Sequence, residues 1–198
     1  MRGIALGTVA AILVASCGGG DRVVRPASPS PTIAATRTPT PTGGAATAAP
    51  SGSPTAVVEL DKGGSFTISL RPDKAPNTVA NFIKKAKNGD YDGTTFHRVV
   101  PGFVAQGGDP LSKTDPARAG TGGGQQPTEL SDLPFVKGAA GIARGGDIKV
   151  SNDAQFYICL EDARHLDNAY TNFGSVTQGM EIVATIAIGD KIKTIRIP

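Results

Sequence analysis

The sequence predicts a mainly β fold over residues 56–198, an antiparallel barrel or sandwich, preceded by a segment that forms no core of its own. Three observations carry this. Apolar and polar residues alternate in many short runs, glycine-rich turns separate the runs, and only two stretches show helical spacing. The aromatic share of 5% and the uneven placing of Pro and Gly assign one domain, not two, to the 198 residues.

The N-terminus reads as an export signal. Met1 and Arg2 give a short positive start, and Gly3 to Ala15 is apolar and uncharged. That run is shorter than the roughly 20 residues needed to span a bilayer. It ends in Leu13-Val14-Ala15-Ser16-Cys17, which resembles the lipobox of bacterial lipoproteins. The resemblance implies that residues 1–16 are a signal peptide and that Cys17 is lipidated, tethering the chain to a membrane at the extracytoplasmic side of the cell envelope. The alternative is an ordinary signal peptide with an incidental cysteine. Residues 17–55 then read as a tether. Runs such as Ser28-Pro29-Ser30-Pro31-Thr32 bury too little apolar surface to offset their ordering entropy, and frequent proline favours extended polyproline II.

The pattern changes after Thr55. Ala56 to Leu60, a turn at Asp61-Lys62-Gly63-Gly64, and Phe66, Ile68 and Leu70 alternating with Thr67 and Ser69 predict a β-hairpin with one buried face. Pro76 suits a first helical position, and Val79, Phe82, Ile83 and Ala86 form one apolar stripe. Lys84, Lys85 and Lys87 complement the dipole at the helix end, and Gly89 stops it. Gln155 to Leu160 predicts a strand burying Phe156, Ile158 and Leu160, with a polar-edged face of Gln155, Tyr157 and Cys159 opposite. A second short helix is expected around Met180 to Ala187, then a last strand with Ile195 and Ile197 on one face.

Several function classes fall away. A net charge of +3 without basic blocks gives no nucleic-acid groove. His97 and His165 lack companion ligands at metal spacing, so neither a metal nor a cofactor is expected. Gly120-Thr121-Gly122-Gly123-Gly124 lacks the ending of a phosphate loop and reads as a loop shaping a groove edge. Cys159 reads as a small buried apolar residue, and Asp109 and Asp115 as water-facing acids.

The run Phe96-His97-Arg98-Val99-Val100-Pro101-Gly102-Phe103, continued by Val104-Ala105-Gln106-Gly107-Gly108-Asp109, resembles the signature of cyclophilin-type peptidyl-prolyl isomerases. Thr121 to Gly124, Gln155 to Ile158, His165-Leu166-Asp167 and Phe173-Gly174 follow in family order. The resemblance covers nearly all of residues 56–198. It implies a closed eight-stranded antiparallel barrel capped by two helices, and a groove for proline-containing polypeptides. A monomer is expected.

It also implies a site. Arg98, Phe103 and Gln106 are the expected catalytic residues, and Phe96, His97, Ala143, Arg144, Gln155, Tyr157, His165, Leu166 and Tyr170 the expected substrate-binding ones. Arginine keeps its charge near neutral pH, so Arg98 can donate to the substrate carbonyl and to the prolyl nitrogen as the amide twists. Phe103 would floor the proline ring, beside Tyr157 and Leu166, while Gln106 and Gln155 would orient the peptide backbone. His165 replaces the tryptophan of many eukaryotic members, which implies weak cyclosporin binding. Tyr170 stands where many members have histidine, Tyr157 replaces a phenylalanine, and Arg144 lies near a substrate-contacting asparagine. The expected activity is X-Pro isomerisation in exported proteins. The alternative is a proline-peptide receptor or chaperone on the same scaffold.

Overall fold

The alternating run after the linker forms two strands, β1 (Thr55–Leu60) and β2 (Ser65–Leu70), paired antiparallel so that Ala56, Val58, Leu60, Phe66, Ile68 and Leu70 all point inward. The computed structural model describes residues 52–198; the expected signal peptide, Cys17 and nearly all of the expected linker lie outside the described residues. The further strands are β3 (Phe96–Val100), β4 (Val104–Gly107), β5 (Gln125–Pro127), β6 (Ala139–Arg144), β7 (Val150–Cys159), β8 (Asn172–Gln178) and β9 (Ile192–Arg196). They build one antiparallel sheet in the order β3-β4-β7-β6-β8-β2-β1-β9, with the short β5 added beside β7. The path curls until its ends meet. Thr95 bridges Lys191, Gly93 N donates to Ile192 O at 2.8 Å, and Ile192 N donates to Thr94 O at 2.8 Å. The eight strands of the expected barrel are therefore present, with β5 as an addition.

Helix α1 (Pro76–Lys87) caps the barrel with Val79, Phe82 and Ala86 buried and Ile83 packed at their edge. Phe82 reaches the centre of an aromatic cluster, 5.1 Å from Tyr91, 5.6 Å from Phe156 and 5.1 Å from Phe173 between ring centroids. Proline at the first position fits the helix start, but Ala75 at the N-cap offers no side-chain acceptor. A residue remote in sequence takes that role. Glu129 accepts from Asn77 N at 3.0 Å and from Thr78 N at 2.8 Å. Burial works against the Glu129 carboxylate, yet the hydrogen bonds from Thr78 and Asn77 outweigh it and hold the group below its usual range. Because the folded pKa is depressed, its contribution is full above the unfolded value and is lost as pH falls through the folded one. Glu129→Gln should cost about 1 kcal/mol at neutral pH. Denaturant titrations of both forms should converge below about pH 4; a gap independent of pH would contradict the capping role.

Two elements differ from expectation. The regular helix α2 spans only Met180–Val183, after Gly179, and turns carry the chain on to Ile186. Strand β7 is buried on both faces rather than polar-edged on one. Phe156 and Ile158 join the barrel core, while Tyr157 and Cys159 join a second apolar cluster with Val104, Phe135, Ala139, Ala163 and Leu166. Phe135, before β6, and Ala163 and Leu166, after β7, thus supply an outer layer over β4 and β7. Burial pushes the Cys159 thiol up to about 12, so it remains a small packed group and no thiolate nucleophile near neutral pH.

Candidate active site

Register decides which side chains reach the groove. Arg98 on β3 pairs with Gln106 on β4, Gln106 with Tyr157 on β7, and Tyr157 with Gly141 on β6. The adjacent row runs Phe96, Gly107, Phe156, Ile142 across the same strands. Successive residues of a strand face opposite sides, so the second row builds the barrel core and the first faces outward. Phe96 and Arg98 lie two apart and would share a face in a regular strand. A register shift between them leaves His97 without a partner and puts Phe96 inside and Arg98 outside.

The outward row borders a cavity of about 290 Å³ lined by Arg98, Phe103, Gln106, Tyr157, Leu166 and Tyr170, with Val104, Ala143 and Arg144. Its floor is the second apolar cluster, with Phe103 and Tyr170 packed at the margin. The Tyr157 ring is seated by a close approach: a Cβ on Gly141 would lie 2.3 Å from Tyr157 Cζ, so only glycine leaves the ring its place. A second cavity of about 490 Å³ adjoins the first, shares Gln106, Ala143 and Arg144 with it, and is edged by the Gly120–Gly124 loop.

Polar groups behind this surface form a chain. Arg98 Nη1 donates to Gln106 Oε1 at 3.3 Å, Gln106 Nε2 to Gln155 Oε1 at 3.0 Å, and Gln155 Nε2 to Gly122 O at 2.7 Å and to Asp109 Oδ2 at 3.4 Å. Asp109 is 0% exposed and also accepts from the backbone N–H groups of Leu111, Gly120 and Gly122. Two acceptors face Gln155 Nε2, which turns its Oε1 toward Gln106 and in turn fixes the Gln106 oxygen against Arg98. The result is a guanidinium held by one edge beside an apolar cavity. Among the described residues Arg98 makes no other side-chain hydrogen bond, which leaves its remaining donors for a bound molecule.

The family model for "cyclophilin type peptidyl-prolyl cis-trans isomerase/CLD" matches residues 55–197. The chain belongs to this family. It is 38% identical over 146 residues to a peptidyl-prolyl cis-trans isomerase of Synechococcus elongatus, covering 72% of this chain and 94% of that one. It is 41% identical over 142 residues to peptidyl-prolyl cis-trans isomerase B of Bacillus subtilis, covering 70% of this chain and 94% of the relative. A Cryptosporidium parvum cyclophilin, crystallised in the presence of the dipeptide Ala-Pro, shares the fold with a TM-score of 0.64 at 24% identity, covering 73% of this chain and 98% of that one. The chain is a cyclophilin-type peptidyl-prolyl cis-trans isomerase.

Most of the expected groove residues of this cyclophilin converge, and three do not. Arg98, Phe103, Gln106, Ala143, Arg144, Tyr157, Leu166 and Tyr170 border the smaller cavity. His165 stands beside it, exposed and stacked on Phe103 with centroids 5.3 Å apart. Phe96 is 0% exposed in the barrel core and not at the groove, because the bulge at His97 turns it inward. His97 lines a different cavity with Lys113 and Lys191, and burial lowers its pKa. Gln155 is 3% exposed behind Gln106, bordering the larger cavity rather than the proline-sized one. The expectation of a water-facing Asp109 is overturned: it is the buried anchor of the polar chain. The glycines after it were the available signal, since their N–H groups need an acceptor; a Cβ on Gly122 would lie 2.1 Å from Asp109 Oδ1.

Tyr157 adds a testable detail. Its hydroxyl is buried without a hydrogen-bond partner among the described residues, and burial raises its pKa. A buried unpaired hydroxyl is destabilising, so Tyr157→Phe should raise stability by about 1 kcal/mol. Chemical denaturation of the two proteins measures this, and a less stable Phe variant would mean that the hydroxyl is paired in solution.

Proposed function

We propose that this isomerase rotates X-Pro bonds in exported, incompletely folded polypeptides, with Arg98 as the donor that stabilises the twisted amide. The observation that carries the reading is the Arg98 guanidinium, fixed by Gln106 at the rim of an apolar cavity at the small end of ligand sites. In the planar amide the nitrogen lone pair is delocalised, and rotation costs about 18–20 kcal/mol. As the bond twists, that pair localises on the prolyl nitrogen and becomes an acceptor. A donor aimed there interacts more strongly with the twisted state than with either planar isomer. Phe103, Leu166 and Tyr157 hold the ring, and the pre-paired carboxamides of Gln106 and Gln155 keep the arginine from reorganising during the step.

The setting follows from the N-terminus: a lipidated Cys17 would hold the domain, as a monomer, at the outer face of a membrane on a proline-rich tether. There, slow prolyl isomerisation limits the folding of arriving chains. Two experiments test the setting. Cys17→Ala should move the protein from the membrane fraction to the soluble fraction, and an unchanged partition would exclude the anchor. The full chain should accelerate the slow, proline-limited refolding phase of an exported protein, and an unaltered phase would exclude the folding role.

A further inference from the structure

Arg98 and Arg144 are the charged side chains that border the proline-sized cavity; the other lining residues are apolar or neutral. Arg144 is held in place. Its Nε donates to Ala169 O at 2.8 Å, its Nη1 donates to Gly145 O at 2.8 Å, and its Cζ lies 4.4 Å from the centre of the Tyr170 ring. Every one of these partners is neutral, and among the described residues neither Arg98 nor Arg144 takes part in an ion pair. An arginine fixed by carbonyls and a ring keeps its full charge and loses little further freedom when it meets an anion. Arg144 also belongs to the wall shared with the larger cavity, so a peptide passing between the two runs beside it. The larger cavity adds one carboxylate, Asp147, whose Oδ1 already accepts from Lys149 N at 2.8 Å.

We propose that Arg144 is a specificity-determining residue that favours prolines flanked by an acidic side chain, Asp or Glu, over prolines flanked by a basic one. The proposal rests on the isomerase reading of the groove and adds a substrate class to it. Exposed or half-buried ion pairs are modest and screened by salt, so the discrimination should be moderate and salt-dependent.

The test measures kcat/KM of the full chain by NMR exchange on two peptide series, Ala-Xaa-Pro-Phe and Phe-Ala-Pro-Xaa, with Xaa as Glu, Ala or Lys. Glu should exceed Lys about five- to tenfold at low ionic strength in at least one series, and the ratio should fall toward one near 0.5 M salt. Arg144→Gln should collapse the Glu-to-Lys ratio, whatever happens to the absolute rates, and Arg144→Lys should keep part of it. A wild-type ratio near one in both series, a ratio insensitive to salt, or a ratio unchanged in Arg144→Gln would overturn the proposal. The salt series reads the charge preference without any variant, and if Arg144→Gln misfolds, the part of the ratio kept or lost in Arg144→Lys assigns it to this position rather than to Arg98. Absence of turnover on the Ala peptides would instead refute the isomerase reading beneath it.

Discussion

Replacing Arg98 by alanine should lower kcat/KM about 10²–10³-fold, the range found when one fixed donor to a transition-state charge is removed. The side chain is exposed, so the fold should persist. The Arg98 head group lies 5.9 Å from the centre of the Phe103 ring, and its removal leaves the apolar floor in place. Peptide affinity should therefore change much less than turnover. That asymmetry separates a donor acting on the twisted amide from one that merely holds substrate. Single-turnover kinetics together with a binding titration measures it. A loss of affinity that accounts for the whole fall in kcat/KM, with kcat unchanged, would make Arg98 a binding residue only.

Asp109→Asn should be the second large effect, reaching both stability and activity. The buried carboxylate receives the N–H groups of Leu111, Gly120 and Gly122 and faces Gln155 Nε2. An asparagine keeps the shape but replaces one acceptor oxygen by a donor, so at least one backbone N–H must face an N–H. Leaving such a buried group unpaired costs about 2–4 kcal/mol. The less costly flip turns the amide nitrogen on Leu111 N and keeps an oxygen toward Gly120, Gly122 and Gln155, but that oxygen is neutral and a weaker acceptor for Gln155 Nε2 than the carboxylate. The order should then pass out of the chain: Gln155 and Gln106 sample flipped amides, and Arg98 loses its fixed partner. Turnover should fall about tenfold at temperatures where the variant is fully folded, as expected when an orienting residue is lost. The side-chain amide resonances of Gln106 and Gln155 should shift, a readout that a purely structural role would not produce. Unmoved amide signals with full activity would refute the positioning role.

The contrast between Asp109 and Arg98 shows what local sequence conveys. The β1–β2 hairpin, α1 and the stretch from Arg98 to Gln106 follow from spacing alone or from a contiguous motif. Each states its own face and turn within about a dozen residues. The family resemblance places Phe96 in the groove with Arg98, and the period of a regular strand would put both on one side. The bulge at His97 breaks that logic, and nothing in the local alternation announces it. Strand β7 misled for a different reason. Gln155, Tyr157 and Cys159 look like a half-exposed face until Phe135, Ala163 and Leu166 pack on Tyr157 and Cys159, and Gln106 and Asp109 take up Gln155. Glu129 and Asp109 share this difficulty. Acidic residues in loops usually face water, and only the tertiary structure brings an unsatisfied helix start or a glycine loop against them.

That the Arg98 groove rotates the X-Pro bond is tested by rate and place in one measurement, NMR exchange of an Ala-Pro-containing peptide with the isotope-labelled chain. Cis–trans exchange cross-peaks should appear only with enzyme present, with shift changes centred on Phe103, Gln106, Ala143, Leu166 and Tyr170. Exchange no faster than in the free peptide, or shift changes confined to a surface away from Arg98, would contradict it.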